Sequence, residues 1–358
     1  MKCTSTSAVL VTLASLIAAE QVCADEIPPP YDQTAKKGLE WLAKAQDPDG
    51  YWASPGDSFP VALTALSGTA MLMEGSTLRG GKYADNLHRA TGWLIKCAQS
   101  NGLISQFKGE GEGYMHGHGY ALLFLAQVYG EEEERKLRSR LEDLLTQGVS
   151  FLGRRQSSHG GWSYYTSKDE WDEVSVTVTQ MQALRACRNA GIAVPKEMID
   201  RARKYLRDCT TEEGGIRYGK STMAGHARPA LTAAAIASAF SAGEYNSSNV
   251  RQWLEYCRKG LWGRRTSYDE YTDYYWAQCI YMLGDKGWSD LFPGSVPGEQ
   301  VTWTTYRKHT FDFLRRTQNA DGSWSGSKNW RHFGPVYSTA TALTILQLDK
   351  ATLPMYQR

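Results

Sequence analysis

Three seven-residue segments of this chain share one pattern, and their spacing constrains the fold more than any other feature. They run from Gln46 to Trp52, from Gln156 to Trp162 and from Gln318 to Trp324, and each reads QxxxGxW. The tryptophans stand 110 and 162 positions apart, which is two and three units of about 54 to 55 residues. A period of that size marks stacked supersecondary units, none of which buries its apolar face alone. Degenerate copies are then expected in the gaps. Gln99-Ser100-Asn101-Gly102 leading to Phe107 fills one, Glu213-Gly214-Gly215-Ile216-Arg217-Tyr218 a second, and the weakest copy lies near Leu261-Trp262-Gly263.

Each unit has the same internal order: an amphipathic helix, the Gly/Trp turn, then a more apolar helix. Leu39, Leu42 and Ala43 recur at helical spacing before the first turn, and Val61 to Met73 follows it. The sixth unit repeats this with Phe311, Phe313 and Leu314, then Thr339 to Leu348. Between them the second helices are expected over Tyr120 to Tyr129, Val174 to Ala190, Arg228 to Ala242 and Asp273 to Leu283. Apolar on most sides, these second helices read as an inner ring, with the charged first helices outside. In the turn, Gly gives the reversing backbone its freedom, Trp packs beneath, and Gln and its neighbours bond exposed helix ends. Lys286 to Gln300, with Pro293 and Pro297, reads as a long loop. The fold class is therefore all-α, an (α/α)6 toroid forming one domain over residues 25–358.

Composition bounds the partners. The 40 Lys+Arg lie beside 38 Asp+Glu in 358 residues, a net charge of +2 with no basic stripe, which argues against a nucleic-acid binder. Lys2, the apolar run Ala8 to Ala19 and the small residues before Asp25 read as a signal peptide over residues 1–24, so the mature protein is expected to be exported, periplasmic or extracellular. No later segment is long and apolar enough to span a membrane; peripheral membrane contact stays open. Cys97, Cys187, Cys209, Cys257 and Cys279 have no CxxC spacing and sit on apolar stretches, as packing cysteines do.

The turns, the six-hairpin length and the opening Phe333-Gly334-Pro335-Val336-Tyr337-Ser338-Thr339-Ala340 resemble squalene-hopene cyclases and the β subunits of protein prenyltransferases, from about Tyr31 to Leu348. The resemblance implies that all six inner helices open at one end, making a collar of the residues that precede them. Cyclases of that kind protonate an alkene with the middle carboxyl of a DxDD motif. The matching segment here is Glu170-Trp171-Asp172-Glu173, with Glu at its first and last positions, which gives Asp172 the donor's role between Glu170 and Glu173. The competing reading has Asp172 capping the inner helix and Glu173 favoured by the helix dipole. Prenyl transfer would need zinc on Asp, Cys and His, and no Asp-x-Cys opens an inner helix, so that activity is rejected.

The rest of the collar comprises His116 and His118, His226 and Arg228, Asp269, Tyr271, Asp273, Tyr274 and Tyr275, then Trp330, Arg331, His332 and Tyr337. His116 and His118 could join His226 or Asp172 on a metal, but cap and hydrogen-bond roles are the simpler reading, and no metal or cofactor is assigned. Three functions stay open. One is a cavity for an elongated apolar, isoprenoid-like ligand, with acid-initiated cyclisation as its chemistry. Another is a hydrolase or lyase acting on a glycan. The third is a non-catalytic scaffold; its thioester form is excluded because no GCGEQ stretch exists. Fold alone does not choose among them.

Overall fold

The computed structural model describes residues 27–106, 114–166, 171–220, 225–262 and 269–357. The segment read as a signal peptide, together with Phe107 and Glu170, lies outside them. Among the described residues there are thirteen α-helices and only isolated β-bridges. Six make an inner ring: α2 (Pro60–Glu74), α4 (Met115–Glu131), α6 (Val174–Asn189), α8 (Pro229–Ser241), α10 (Glu270–Leu283) and α13 (Gly334–Leu346). Six lie outside: α1 (Pro29–Lys44), α3 (Ala84–Lys96), α5 (Arg135–Arg155), α7 (Lys196–Asp208), α9 (Ser248–Leu261) and α12 (Trp303–Thr317). The segment expected as a loop holds α11 (Gly287–Leu291), whose Trp288 is fully buried.

Burial follows the patterning. Every residue of α2 except Glu74 is buried, whereas α7 buries only Met198, Ala202, Tyr205 and Leu206, one stripe of an otherwise charged helix. Each inner helix packs on the next and α13 packs on α2, so the ring closes. Polar contacts cross the seam: Gln347 Nε2 donates to the Ala70 carbonyl at 2.9 Å and Gln318 Nε2 to the Thr34 carbonyl at 2.9 Å.

The turns make the same bonds each time. Trp52, Trp162 and Trp324 donate Nε1–H to the carbonyls of Leu42, Leu152 and Leu314 at 2.8, 2.9 and 2.8 Å, tying the turn to the end of the preceding outer helix. Their backbone N–H groups donate to Thr64, Thr177 and Thr339, one turn into the following inner helix, at 2.9, 3.1 and 3.0 Å. The fourth unit has lost its Trp yet keeps the bond, from Ile216 N–H to Thr232 at 2.9 Å. In the second unit His118 takes the threonine's place, accepting from Ile104 N–H on Nδ1 at 3.1 Å. A buried donor left without a partner costs about 1–3 kcal/mol, which explains why the bond outlasts the motif.

The turn glycines face a second constraint. At Gly50, Gly160 and Gly322 φ lies between +98° and +104°, and a Cβ would stand 2.6, 2.4 and 2.5 Å from the carbonyl oxygens of Arg89, Arg201 and Lys37. Those carbonyls belong to the next outer helix around the ring, so the glycine lets neighbouring units touch through backbone.

Three inner helices begin earlier than the apolar runs indicate. α4 starts at Met115, so the Met-His-Gly-His-Gly segment is helical. Glycine inside a helix is unfavourable by propensity, but a Cβ on Gly119 would stand 2.8 Å from Gln180 and Thr179 of α6, and this tight packing outweighs the propensity. α10 and α13 likewise start at Glu270 and Gly334.

Two stability measurements check this account. Gly322→Ala should lower stability by at least about 2 kcal/mol, while Gly294→Ala, where nothing lies within 4 Å, should melt like the parent. His118→Thr should be more stable than the isosteric His118→Val by about 1–3 kcal/mol, because only threonine pairs the Ile104 N–H.

Candidate active site at the inner-helix collar

The beginnings of all six inner helices enclose a cavity of about 380 Å³, within the range of small-molecule sites. Phe59, Ala62, Leu63 and Leu66 come from α2 and the residue before it; Tyr114, His116 and Tyr120 from α4 and its cap; Ser175 from α6. Across the cavity stand Arg228, Ala230 and Leu231 at α8, Tyr271 of α10, and Trp330, Phe333 and Tyr337 at α13. Tyr164 and Tyr218 close the wall from the third and fourth turns. Their backbones explain the position: the Tyr164 carbonyl accepts from Met115 N–H at 2.8 Å and the Tyr218 carbonyl from Val174 N–H at 2.9 Å, so each turn supplies a partner for an orphan donor at the start of the preceding unit's inner helix.

Of the residues expected at the collar, the structure thus brings His116, Arg228, Tyr271, Trp330 and Tyr337 onto one surface. His118 faces the second turn, as described above. Tyr274 is buried away from the cavity with its hydroxyl 3.4 Å from that of Tyr356, and Tyr275 packs below Tyr271. Asp269 caps α10 through Thr272 N–H at 2.9 Å and accepts from Trp330 Nε1 at 2.8 Å. Asp273 accepts from Asp269 N–H at 3.1 Å, with the Tyr306 hydroxyl 3.4 Å from its other oxygen. His226, Arg331 and His332 are exposed and line no part of the cavity.

The two described acids that precede α6, Asp172 and Glu173, are the central question. Asp172 is buried but faces the third turn: it accepts from the Ser157 hydroxyl, and His159 Nδ1 stands 3.5 Å from its other oxygen. Its backbone carbonyl accepts from Tyr205 at 2.7 Å. Glu173 occupies the N-cap position of α6 without its side chain capping the helix. Half-buried, it keeps Oε2 out of solvent and without a hydrogen-bond partner. Burial pushes its carboxyl up to about 7, against the opposing pull of the Tyr218 and Tyr164 hydroxyls and the Arg228 charge. Those two hydroxyls also bond each other, and Ser175 Oγ donates to Tyr164 at 3.3 Å. Glu173 therefore stands directly behind two cavity tyrosines.

His116 is buried with Nδ1 3.2 Å from Thr179 Oγ1, and burial lowers its pKa to about 4, so the imidazole is neutral at pH 7. Among the described residues no three His, Cys, Asp or Glu side chains are grouped to hold a metal ion. The five described cysteines are unpaired and buried.

Two elements of the wall escaped the sequence reading. Tyr164 and Tyr218 each lie two positions past the anchored residue of a turn, Trp162 or Ile216, and that shared offset is the signal that marks them. Glu270, fully buried, accepts from Ser327 N–H at 2.7 Å and from the Ser327 and Ser338 hydroxyls at 2.6 and 3.2 Å. It holds the segment that carries Trp330, whose ring stacks on Tyr271 with centroids 5.7 Å apart and planes 12° from parallel.

No curated protein sequence matches this chain. Among solved structures it resembles a variant of the type II terpene cyclase MstE from Scytonema, in complex with geranylgeranyl dihydroxybenzoate as substrate: 14% identity, 90% of this chain against 98% of that one, TM-score 0.59. The apo form of that cyclase gives 15% identity over 90% and 99%, TM-score 0.56. An inactive variant of an α-1,6-mannanase of Salegentibacter, in complex with α-1,6-mannotriose, gives 9% identity over 90% and 99%, TM-score 0.61. At such identities the likeness is one of fold. Among the described residues no helix is long and apolar enough to cross a membrane. Residues 4–290 match the model of the prenyltransferase alpha-alpha toroid domain, and the chain belongs to that family.

Proposed function

We propose that the collar cavity takes an elongated, isoprenoid-like ligand and that Glu173 starts its cyclisation as a general acid. The observation that carries this reading is one carboxyl, raised to about 7, standing behind Tyr164 and Tyr218 in a cavity otherwise walled by aromatic and aliphatic side chains. In the proposed step a Tyr164 or Tyr218 hydroxyl gives its proton to one carbon of a substrate double bond and takes the Glu173 proton in exchange, while the positive charge develops on the other carbon. Aromatic faces attract such a charge where water cannot reach it. The terpene cyclase of similar fold, with its polyprenyl-bearing substrate, supports the class of ligand. Arg228, stacked 5.0 Å from the Tyr218 ring centroid, stands at the mouth, where a polar end of the ligand would sit. A glycosidase would need two carboxyls flanking the scissile bond, about 5–9.5 Å apart; among the described residues no Asp or Glu lines the cavity itself, and Glu173 is a single carboxyl behind its wall. Asp172 takes a supporting role here, holding the turn that carries Tyr164. Export of the mature protein belongs to the same proposal, on the strength of the apolar run Ala8 to Ala19; the N-terminal mass of the purified protein tests it.

With squalene or another linear polyisoprenoid as probe and product detection by mass spectrometry, Glu173→Gln should lower turnover by about 10²–10⁴-fold. Unchanged turnover in that variant removes Glu173 from the mechanism. Because the acid must carry its proton, the rate should decline as pH rises through about 7. Stability gives an independent check. The folded value lies above the ordinary 4.5, so the group's contribution is complete below about 4.5 and disappears as pH rises through about 7. The melting temperature of the parent relative to Glu173→Gln should therefore fall across that window.

A further inference from the structure

His116 is the one described residue lining the collar cavity that readily takes up a proton. No other His and no Asp, Glu, Cys or Lys is among the described lining residues, and Arg228 stays protonated. The rest of the wall offers aromatic faces, aliphatic groups and neutral hydroxyls.

The tautomer follows from a neighbour. Thr179 Oγ1 spends its single proton on the Ser175 carbonyl, one turn back in α6, at 3.1 Å. The oxygen therefore accepts from His116 Nδ1–H at 3.2 Å, and this bond assigns the lone pair to Nε2. Nε2 has no partner among the described residues and is not sealed off, so it stays open to the cavity that the ring lines.

The place of that base matters as much as its presence. Its imidazole lies beside Tyr164, with ring centroids 5.4 Å apart, and the Tyr164 hydroxyl belongs to the pair through which Glu173 delivers its proton. Acid and base thus share one sector of the wall, whereas no base lines the α13 side, where Trp330, Phe333 and Tyr337 stand. Each ring closure of a cascade carries the cation further from the acid. A base beside the acid meets it early.

We infer that His116 ends the cyclisation after the first rings have formed, so that the product keeps most of the ligand's double bonds; the inference rests on the reading of Glu173 as the acid. A C–H bond next to the cationic carbon breaks, its electron pair closes a C=C bond, and the proton goes to Nε2. Burial lowers the His116 pKa to about 4 and raises that of Glu173 to about 7, so the proton returns downhill to Glu173 across the adjacent Tyr164. The cycle then closes without a co-reactant.

The test gives squalene to the full chain and measures the hydrogen uptake of the cyclised product, which counts the double bonds left. Uptake only slightly below that of squalene is expected. His116→Phe should lower the share of that product at least about tenfold, in favour of products with fewer double bonds or one added water, read as a ratio within whatever is consumed. Thr179→Val frees the tautomer and should shift the ratio the same way, with Thr179→Ser restoring it, a pattern that misfolding does not give. A fully cyclised product from the parent, or an unchanged ratio in His116→Phe, overturns the inference alone if Glu173→Gln still suppresses turnover. No cyclised product from the parent, or one formed independently of Glu173, overturns both readings.

Discussion

The ring depends on one hydrogen bond repeated in five of its six units among the described residues, a turn backbone N–H donated to a side chain one turn into the following inner helix. A reversing chain between two packed helices carries a donor that water cannot reach, and leaving it unpaired would cost more than most single contacts supply. Threonine satisfies it in four units and His118 in the second. The bond sets the phase of each inner helix against its outer partner, and that phase decides which side chains face the axis. The turn glycines then let each unit meet the next through backbone, so the ring can close at the α13 to α2 seam.

Closure creates the site. Six helix starts meet at one end, and the segments flanking them supply rings of similar size from different units: Tyr114 and Tyr164 stack with centroids 6.3 Å apart, as do Trp330 and Tyr271 at 5.7 Å. The carboxyls near this wall divide by environment. Asp269 and Glu270 are engaged in holding the Trp330 segment, and Asp172 in holding the third turn. Glu173 alone of these four combines partial burial with an oxygen left unpartnered, and desolvation rather than a neighbouring anion raises its pKa. Adjacent acids on one segment thereby acquire different roles, set by which side of the chain each leaves.

How far this could be read beforehand varies with the length scale of the interaction. The helix pairs and the collar's membership in outline followed from periodicity, because amphipathic spacing and the turn pattern are local. His116, Arg228, Tyr271, Trp330 and Tyr337 were found by asking which residues precede inner helices. The same question also selected His118, Asp269 and Asp273, since a position near a helix start does not say whether the side chain points along the axis or back into a turn. Tyr164 and Tyr218 escaped it because they follow the turns and reach the cavity across a unit boundary. The starts of α4, α10 and α13 were placed late for a related reason: glycine and polar residues there look like loop until a neighbouring helix packs against them.

Taken alone, the amino-acid order determined the all-α class, the two-helix unit and its period, because hydrophobic spacing and turn chemistry act over a few residues. Only the tertiary structure decided that Glu173 rather than Asp172 stands behind the cavity tyrosines and that His118 serves a turn. Those outcomes rest on burial and direction, and both are set by packing between turns and neighbouring helices, which no local pattern encodes.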